Sequence, residues 1–442
     1  MRFAFVALLM ALACASVGPA RAQADDEEAL GARFQTTWNW QRHAGFRSGY
    51  AAQNSLDARR DKMYTFSATA HIGVRPWSGG ELYFNPEVVQ GVPFTGNLVG
   101  LAGFTNGEIT RAAGTNPTFY RQRLFLRQTW NHGGGREKAE SDFNQLAGHV
   151  DRDRFVLTVG NFSTLDVFDD NAYAKDPRTQ FMNWGHWTYA AYDYAADSRG
   201  FGWGFAGEWY RGDWVLRFGR MTGPREPNGL AVDFALGRHY GDQVELEHAH
   251  TLFGQPGKLR LLGWRNRAVL ASYRDALDAL RANPGANPMT ILAVRNGEKV
   301  KSGVGINLEQ AIGGDAGVFL RAMKADGRTE THAFTEADGS FSAGVALKGT
   351  RWGRAGDTVG LAFLRSTLSD DRRNYLAAGG ISFFIGDGAL NYRPESIFET
   401  YYSLAAMKGL WLTLDYQHVR NPAYNADRGP VNVLAVRLHA EF

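Results

Sequence analysis

LAVRLHAEF, residues 434–442, ends the chain. Leu434, Val436, Leu438, Ala440 and Phe442 alternate in it with Arg437, His439 and Glu441. A period of two places each set on its own face of a β-strand. The same period recurs upstream. In Gly200–Tyr210, Phe201, Trp203, Phe205 and Trp209 oppose Gly202, Gly204, Ala206 and Glu208. In Met63–Val74, Tyr64, Phe66, Ala68, Ala70, Ile72 and Val74 oppose Thr65, Ser67, Thr69 and His71. Gly303–Gln310 sets Val304, Ile306 and Leu308 against Asn307 and Glu309, and Trp411–Arg420 sets Leu412, Leu414 and Tyr416 against Thr413, Asp415 and Gln417.

In a soluble sandwich such apolar faces pack against one another. In an outer-membrane barrel they face lipid, and the polar faces line the lumen. Three features favour the barrel. Trp130, Trp209, Trp214 and Trp411 stand at the ends of apolar stripes, where interfacial girdles fall. The segments have the length a tilted membrane strand needs. The terminal aromatic Phe442 is the usual last residue of proteins handled by the outer-membrane assembly machinery.

The remaining sequence agrees. Arg2 and the apolar run Phe3–Ala15 precede Ala20-Arg21-Ala22, which reads as a cleavable export signal over 1–22 with the barrel over 23–442. Cys14 is the only cysteine and lies in that signal, so no disulfide scaffold is expected. A lipoprotein signal at Cys14 would want a large aliphatic residue where Ala11 stands. Gly numbers 52, with 12 Trp, 17 Tyr and 28 Phe, a composition suited to many strands, tight turns and aromatic girdles. A net charge of +3 lacks the concentrated basic face that nucleic acid requires. Beyond the signal no apolar run reaches the length of a transmembrane helix. A membrane crossing must therefore be made by a closed barrel, where every strand N–H and C=O is paired.

Further strands are expected near Phe34–Gln41, Glu81–Glu87, Gln122–Trp130, Phe155–Asn161, Trp214–Met221, Val244–Leu252, Lys258–Arg265, Val318–Met323, Phe341–Leu347, Val359–Leu364, Ile381–Ile385 and Phe398–Ala406. With the five above these make seventeen segments, and bacterial barrels use even numbers. The fold expected is a transmembrane antiparallel β-barrel of about 16 strands, with 18 as the alternative. Three connections are long: Val88–Arg121, Phe162–Arg199, and Arg267–Lys301, the last with a short amphipathic helix over Ala268–Ala282. The loop after the fifth strand carries Asp166, Asp169, Asp170, Trp184, Trp187, Tyr189, Tyr192 and Asp193, and is read as a constriction segment folded into the lumen.

GELYFNPEVVQG (80–91), RLFLRQTW (123–130), SDFNQLAG (141–148), RFVLTVGNFSTLDVFDDNAYAKDPRTQFMNW (154–184), DYAADSRGFGWGFAGEWY (193–210), GQPGKL (254–259), YLAAGGISFFIGDG (375–388) and NADRGPVNVLAVRLHAEF (425–442) resemble the carbohydrate-selective porins of the OprB family. The likeness runs from about Phe46 to Phe442. It implies a monomeric or homotrimeric barrel of 16 strands, passive and not enzymatic, that passes monosaccharides such as glucose. The expected setting is outer-membrane lipid and lipopolysaccharide.

A sugar offers vicinal hydroxyls, which planar side chains grip in pairs, and flat C–H patches, on which aromatic rings stack. A channel must also release it, which favours several shallow sites. Arg123, Arg127, Arg217 and Glu81 fall on polar strand faces and are expected to line the wall. Asp166, Asp170, Trp184 and Trp187 are expected to face them from the constriction loop. The alternative role for these arginines is only to anchor the loop through its acids. No cofactor or metal is expected. His248 and His250 share a strand face without a third ligand, and Asp166, Asp169 and Asp170 offer oxygens of the kind calcium takes. A general or anion-selective porin, with ion transport, is the nearest alternative function. A barrel hydrolase is the distant one: His239 with Asp242 is its nearest local pair, and no nucleophile lies beside them. A TonB-dependent receptor would need a plug domain before the first strand.

Overall fold

The computed structural model describes residues 27–111, 114–283 and 291–442. The expected signal at 1–22 lies outside the described residues. The chain forms a closed antiparallel β-barrel of 16 strands. The wall strands are β1 (Leu30–His43), β2 (Asp61–Trp77), β3 (Gly80–Val92), β4 (Gly114–Asn131), β7 (Arg154–Phe162), β8 (Gly202–Arg211), β9 (Trp214–Met221), β10 (Tyr240–Leu252), β11 (Gln255–Val269), β12 (Glu298–Ile312), β13 (Ala316–Ala325), β14 (Gly339–Gly349), β15 (Arg354–Thr367), β16 (Glu395–Met407), β17 (Leu410–Arg420) and β18 (Val431–Glu441). A separate hairpin, β5 (Arg136–Ala139) with β6 (Gly148–Asp151), is inserted between β4 and β7. Neighbours in sequence are neighbours in the wall, and β18 closes on β1 from Gln35↔Glu441 to His43↔Val433. The final residue completes the seam: Phe34 and Phe442 exchange both backbone hydrogen bonds, at 3.0 and 2.8 Å.

The alternation resolves as the sequence requires. Val304, Leu414 and Val244 face outward and are 65, 59 and 53% exposed, while Asn307, Thr413, Asp415 and Glu245 on the other face are buried. Trp77, Trp130, Trp209, Trp214 and Trp352 stand exposed at the end of the barrel that also holds both strand termini. Apart from the β4–β7 connection, links at that end take two to four residues, and the opposite end carries the long loops. Short turns mark the periplasmic end of such barrels. Pro86, which cannot donate to a ladder, sits at a register shift between Asn85 and Pro86 in β3. No helix among the described residues is long and apolar enough to cross a membrane. The crossing is made by strands.

Several expected boundaries shift. Ile381–Ile385 is not a strand: Ile381 and Ile385 are buried inside the barrel mouth, where Phe384 meets Phe104 edge-on at 5.0 Å. An apolar run in a packed loop mimics a buried strand, and removing it from the seventeen leaves the even number found. The helix expected over Ala268–Ala282 forms only at α2 (Tyr273–Ala282), capped by Ser272, because Ala268 and Val269 still pair with Lys299 and Glu298. The connection expected from Val88 begins after Val92.

Candidate functional site: the lumen and its neck

The loop after the fifth wall strand, residues 163–201, folds into the barrel. Its entry is fixed locally. Ser163 caps the short turn Thr164–Asp166, and Asp166 returns the contact by accepting from the Ser163 N–H at 2.9 Å. This reciprocal box sets the Asp166 carboxylate at the start of the loop. Farther on, Asn183 caps α1 (Trp184–Trp187).

From there the loop is stitched to one side of the lumen. Asp169, held at a positive φ of 58°, accepts from Arg321 at 2.8 Å and Asn307 at 2.6 Å. Arg178 reaches Glu87 at 2.6 Å and Glu108 at 2.8 Å. Glu399 accepts from the backbone N–H of Met182 at 2.6 Å, and Arg437 donates to the carbonyls of Pro177 and Gln180. Asp193 takes Lys301 at 2.8 Å with both side chains fully buried. Burial opposes the charge on Asp193, but Lys301 outweighs it and holds the carboxyl below its ordinary range. Buried charges persist in this way only when paired and hydrogen-bonded.

The opposite side stays open. Arg123 on β4 grips Asp166 with both arms of its guanidinium, each at 2.7 Å. Arg127 donates to the Asn144 carbonyl at 2.9 Å and lies 3.8 Å from Glu81. Glu81 also takes Arg75 at 2.8 Å and the Tyr83 hydroxyl at 2.8 Å. Asp170 turns to Lys175 of its own loop at 2.5 Å, and lies 3.8 Å from Arg260. Lys175 keeps the Asp170 carboxyl well below the usual carboxylate range. Burial pushes against the ionised form of Asp166, yet Arg123 prevails and lowers it.

Two cavities of about 370 and 490 Å³ occupy this open side, one above the other. Both touch Asp166 and Lys175 of the loop and Asp142, Phe143 and Asn144 of the β5–β6 hairpin. These five residues therefore form the neck between an upper vestibule and a lower one.

The structure brings together Arg123 and Asp166 at the neck, and Arg127, Glu81, Arg217 and Asp170 around the lower vestibule. Arg217 does not reach across to the loop acids. It is buried among Glu208, Glu245 and Glu247 of adjoining strands, at 3.0, 2.9 and 3.0 Å. Trp184 and Trp187 edge the upper vestibule, but both are buried and meet each other edge-on at 4.7 Å. The three aspartates do not converge, since Arg123, Arg321 and Lys175 take one each. His239 pairs with Asp233 at 2.6 Å instead of Asp242, which Arg220 and Arg265 engage. His248 packs on Trp214 with ring centres 4.3 Å apart. Among the described residues no group of three His, Cys, Asp or Glu side chains could hold a metal.

Sequence reasoning missed the hairpin. Its one visible sign is the polar stretch 131–154 between two strands on the side where every other link is short.

A closed barrel with an apolar exterior and a polar, necked lumen defines an outer-membrane diffusion channel. It is a channel and not an enzyme. Residues 53–442 match the profile described as "Carbohydrate-selective porin, OprB family", and the chain belongs to that family. OprB of Pseudomonas putida at high pH superposes with a TM-score of 0.66 at 14% identity, covering 94% of each chain. The DcaP channel of Acinetobacter baumannii gives 0.52 at 9% identity, covering 96% of this chain and 100% of that one. Identities this low carry the fold alone. No curated protein sequence matches the chain.

Proposed function

We propose that the channel passes small neutral carbohydrates, with glucose as the type, by passive diffusion through the neck. One observation carries this reading. The lower vestibule is lined by Arg75, Arg127, Arg154, Lys175 and Arg217 against Glu81, Asp142, Asp166, Asp170 and Glu208. Positive and negative groups match in number, so an anion gains no net attraction on this path. A neutral polyol instead meets paired forks, guanidinium donors beside carboxylate acceptors, to which vicinal hydroxyls fit. Arg123 and Asp166 would grip it at the neck, and Arg127 with Glu81 below. Arg217 and Asp170 would set the field from behind, while Trp184 and Trp187 shape the entrance. Several shallow contacts in series allow release.

The same reading has the chain exported through a signal over residues 1–22 and the barrel built from 23–442. Phe442 would serve the assembly machinery, and the exterior would sit among lipid and lipopolysaccharide. It works as a monomer or a homotrimer, which the mass of the detergent-extracted particle decides. A general or anion-selective porin is favoured only by the upper vestibule, where Arg111, Arg123, Lys175, Arg178 and Arg199 face Asp142, Asp166, Asp169 and Asp176. Single-channel currents in a planar bilayer test both. Concentration-dependent block by glucose, weaker block by a disaccharide and little preference for phosphate support the sugar reading. Channels indifferent to sugars and selective for anions would replace it.

A further inference from the structure

The connection between β4 and β7, residues 132–153, starts and ends at the periplasmic end yet turns back into the lumen. It is built for that position. Its tip is a tight turn in which Asp142 and Gln145 exchange backbone hydrogen bonds at 2.9 and 3.1 Å around Phe143 and Asn144, with Asn144 at a φ of 55°. The wall holds the tip from three strands. Arg33 of β1 donates to the Ser141 carbonyl at 2.6 Å, Arg127 of β4 to the Asn144 carbonyl, and the Leu146 N–H to the Tyr83 hydroxyl of β3 at 3.1 Å. Leu146 is buried over two wall glycines. A Cβ at Gly31 would lie 2.8 Å from its Cδ2, and one at Gly73 3.3 Å. The wall is thus hollowed where the hairpin seats.

We propose that this hairpin is the second side of the constriction, and that Phe143 is the ring on which a pyranose stacks as it passes from the upper vestibule to the lower one. The Phe143 ring is half-buried, its back against His71 with ring centres 4.6 Å apart. It borders both vestibules beside Asp166 and Lys175 of the loop. Trp184 and Trp187 are occupied with each other and buried, so Phe143 is the aromatic face presented at the neck. The sugar would lie between this ring and the Arg123–Asp166 fork, with the Arg127–Glu81 pair taking its hydroxyls next. The periplasmic hairpin, and not the extracellular loop alone, then fixes the cross-section that admits a single sugar ring. This rests on the sugar reading above, and two separate readouts keep them apart.

The test uses Phe143→Ala and Phe143→Cys in the mature protein, whose only cysteine in sequence, Cys14, falls within the expected signal. Heat-resistant migration on gels verifies that each barrel is folded. Phe143→Ala is expected to raise single-channel conductance and to weaken glucose block by up to about tenfold, the scale of one lost ring contact. Disaccharide block should move closer to that of glucose. Phe143→Cys should lose current when a membrane-impermeant thiol reagent is added from the periplasmic chamber, and glucose should slow that reaction. Conductance and block equal to wild type in Phe143→Ala, or labelling of Phe143→Cys without effect on current, would overturn the proposal while leaving the sugar reading in place. Wild-type channels that ignore glucose would instead sink the sugar reading, and with it the stacking role. The conductance of Phe143→Ala would still decide whether the hairpin forms the neck.

Discussion

Arg321 and Arg123 are the same side chain doing the same thing, each reaching from the wall to an aspartate of one loop, and they belong to different parts of the channel. Arg321 on β13 is buried, and besides Asp169 it holds the carbonyls of Ala174 and His186 at 2.7 and 2.9 Å. Arg123 on β4 grips Asp166 at the neck between the two vestibules, where the aspartate side chain keeps 27% of its surface. The first pair sits in a closed set of protein hydrogen bonds, with Asn307 and Thr188 also donating to Asp169 at 2.6 and 2.9 Å. The second borders the upper vestibule and, on the sugar reading proposed above, can exchange its partner for a solute hydroxyl. One side of the lumen is therefore filled by the anchored loop and the other holds the two vestibules, and the chemistry of the ion pair does not tell them apart. Burial does.

The contrast breaks most visibly at the buried side. Arg321→Ala leaves the buried Asp169 carboxylate without its cation and is expected to cost about 3–5 kcal/mol. The loop should loosen, which thermal unfolding in detergent and a noisier open channel would both register. Acidification is the next largest effect. Burial, aided by Arg321, drives the His186 imidazole down to about 3, and burial drives His332 to about 4. Both sit in the folded-in loops as neutral rings. Their contribution to stability is complete above the ordinary value of 6.5 and is lost as pH falls from there toward the lowered values. Melting temperature should therefore drop between pH 7 and pH 4, and His186→Gln should flatten part of that slope.

Arg123→Ala sharpens the other half. A part-exposed pair contributes little to folding, about 1 kcal/mol at most, so its melting temperature should stay near wild type while conductance rises and glucose block weakens. Smallest of all, Asp166 is held below its usual 3.8, so its charge and its grip on Arg123 are complete above that value and fade only as pH falls through the lowered one. Between pH 8 and pH 5 the Arg123–Asp166 fork should give glucose block no slope of its own. A slope over that range in wild type that is missing from Asp166→Asn would show the pair to be weaker than its geometry.

The strands were legible because lipid on one side and water on the other impose a period of two, which local sequence carries without outside information. Sixteen of the expected segments are strands for that reason. Ile381–Ile385 misled because a buried loop and a buried strand share an apolar composition. At the lumen, the residue types of Arg123, Arg127, Glu81 and Asp166 were readable from strand face and loop position. Their separation from Arg217 was not, since a strand face says which side chains point inward and not which are covered by the next carboxylate across the sheet. Trp184 and Trp187 stand in the loop where sequence expects faces for a solute, and tertiary packing turns them toward each other. Phe143 was invisible for the opposite reason: nothing local says that a connection between strands re-enters the barrel.

The most direct measurement is glucose block of single channels in wild type, Arg123→Ala and Arg321→Lys, the last keeping the buried charge. Passage along the open side predicts that block weakens severalfold in Arg123→Ala and stays near wild type in Arg321→Lys. Equal block in all three, or a loss confined to Arg321→Lys, would contradict the division of the lumen into an anchored side and a conducting one.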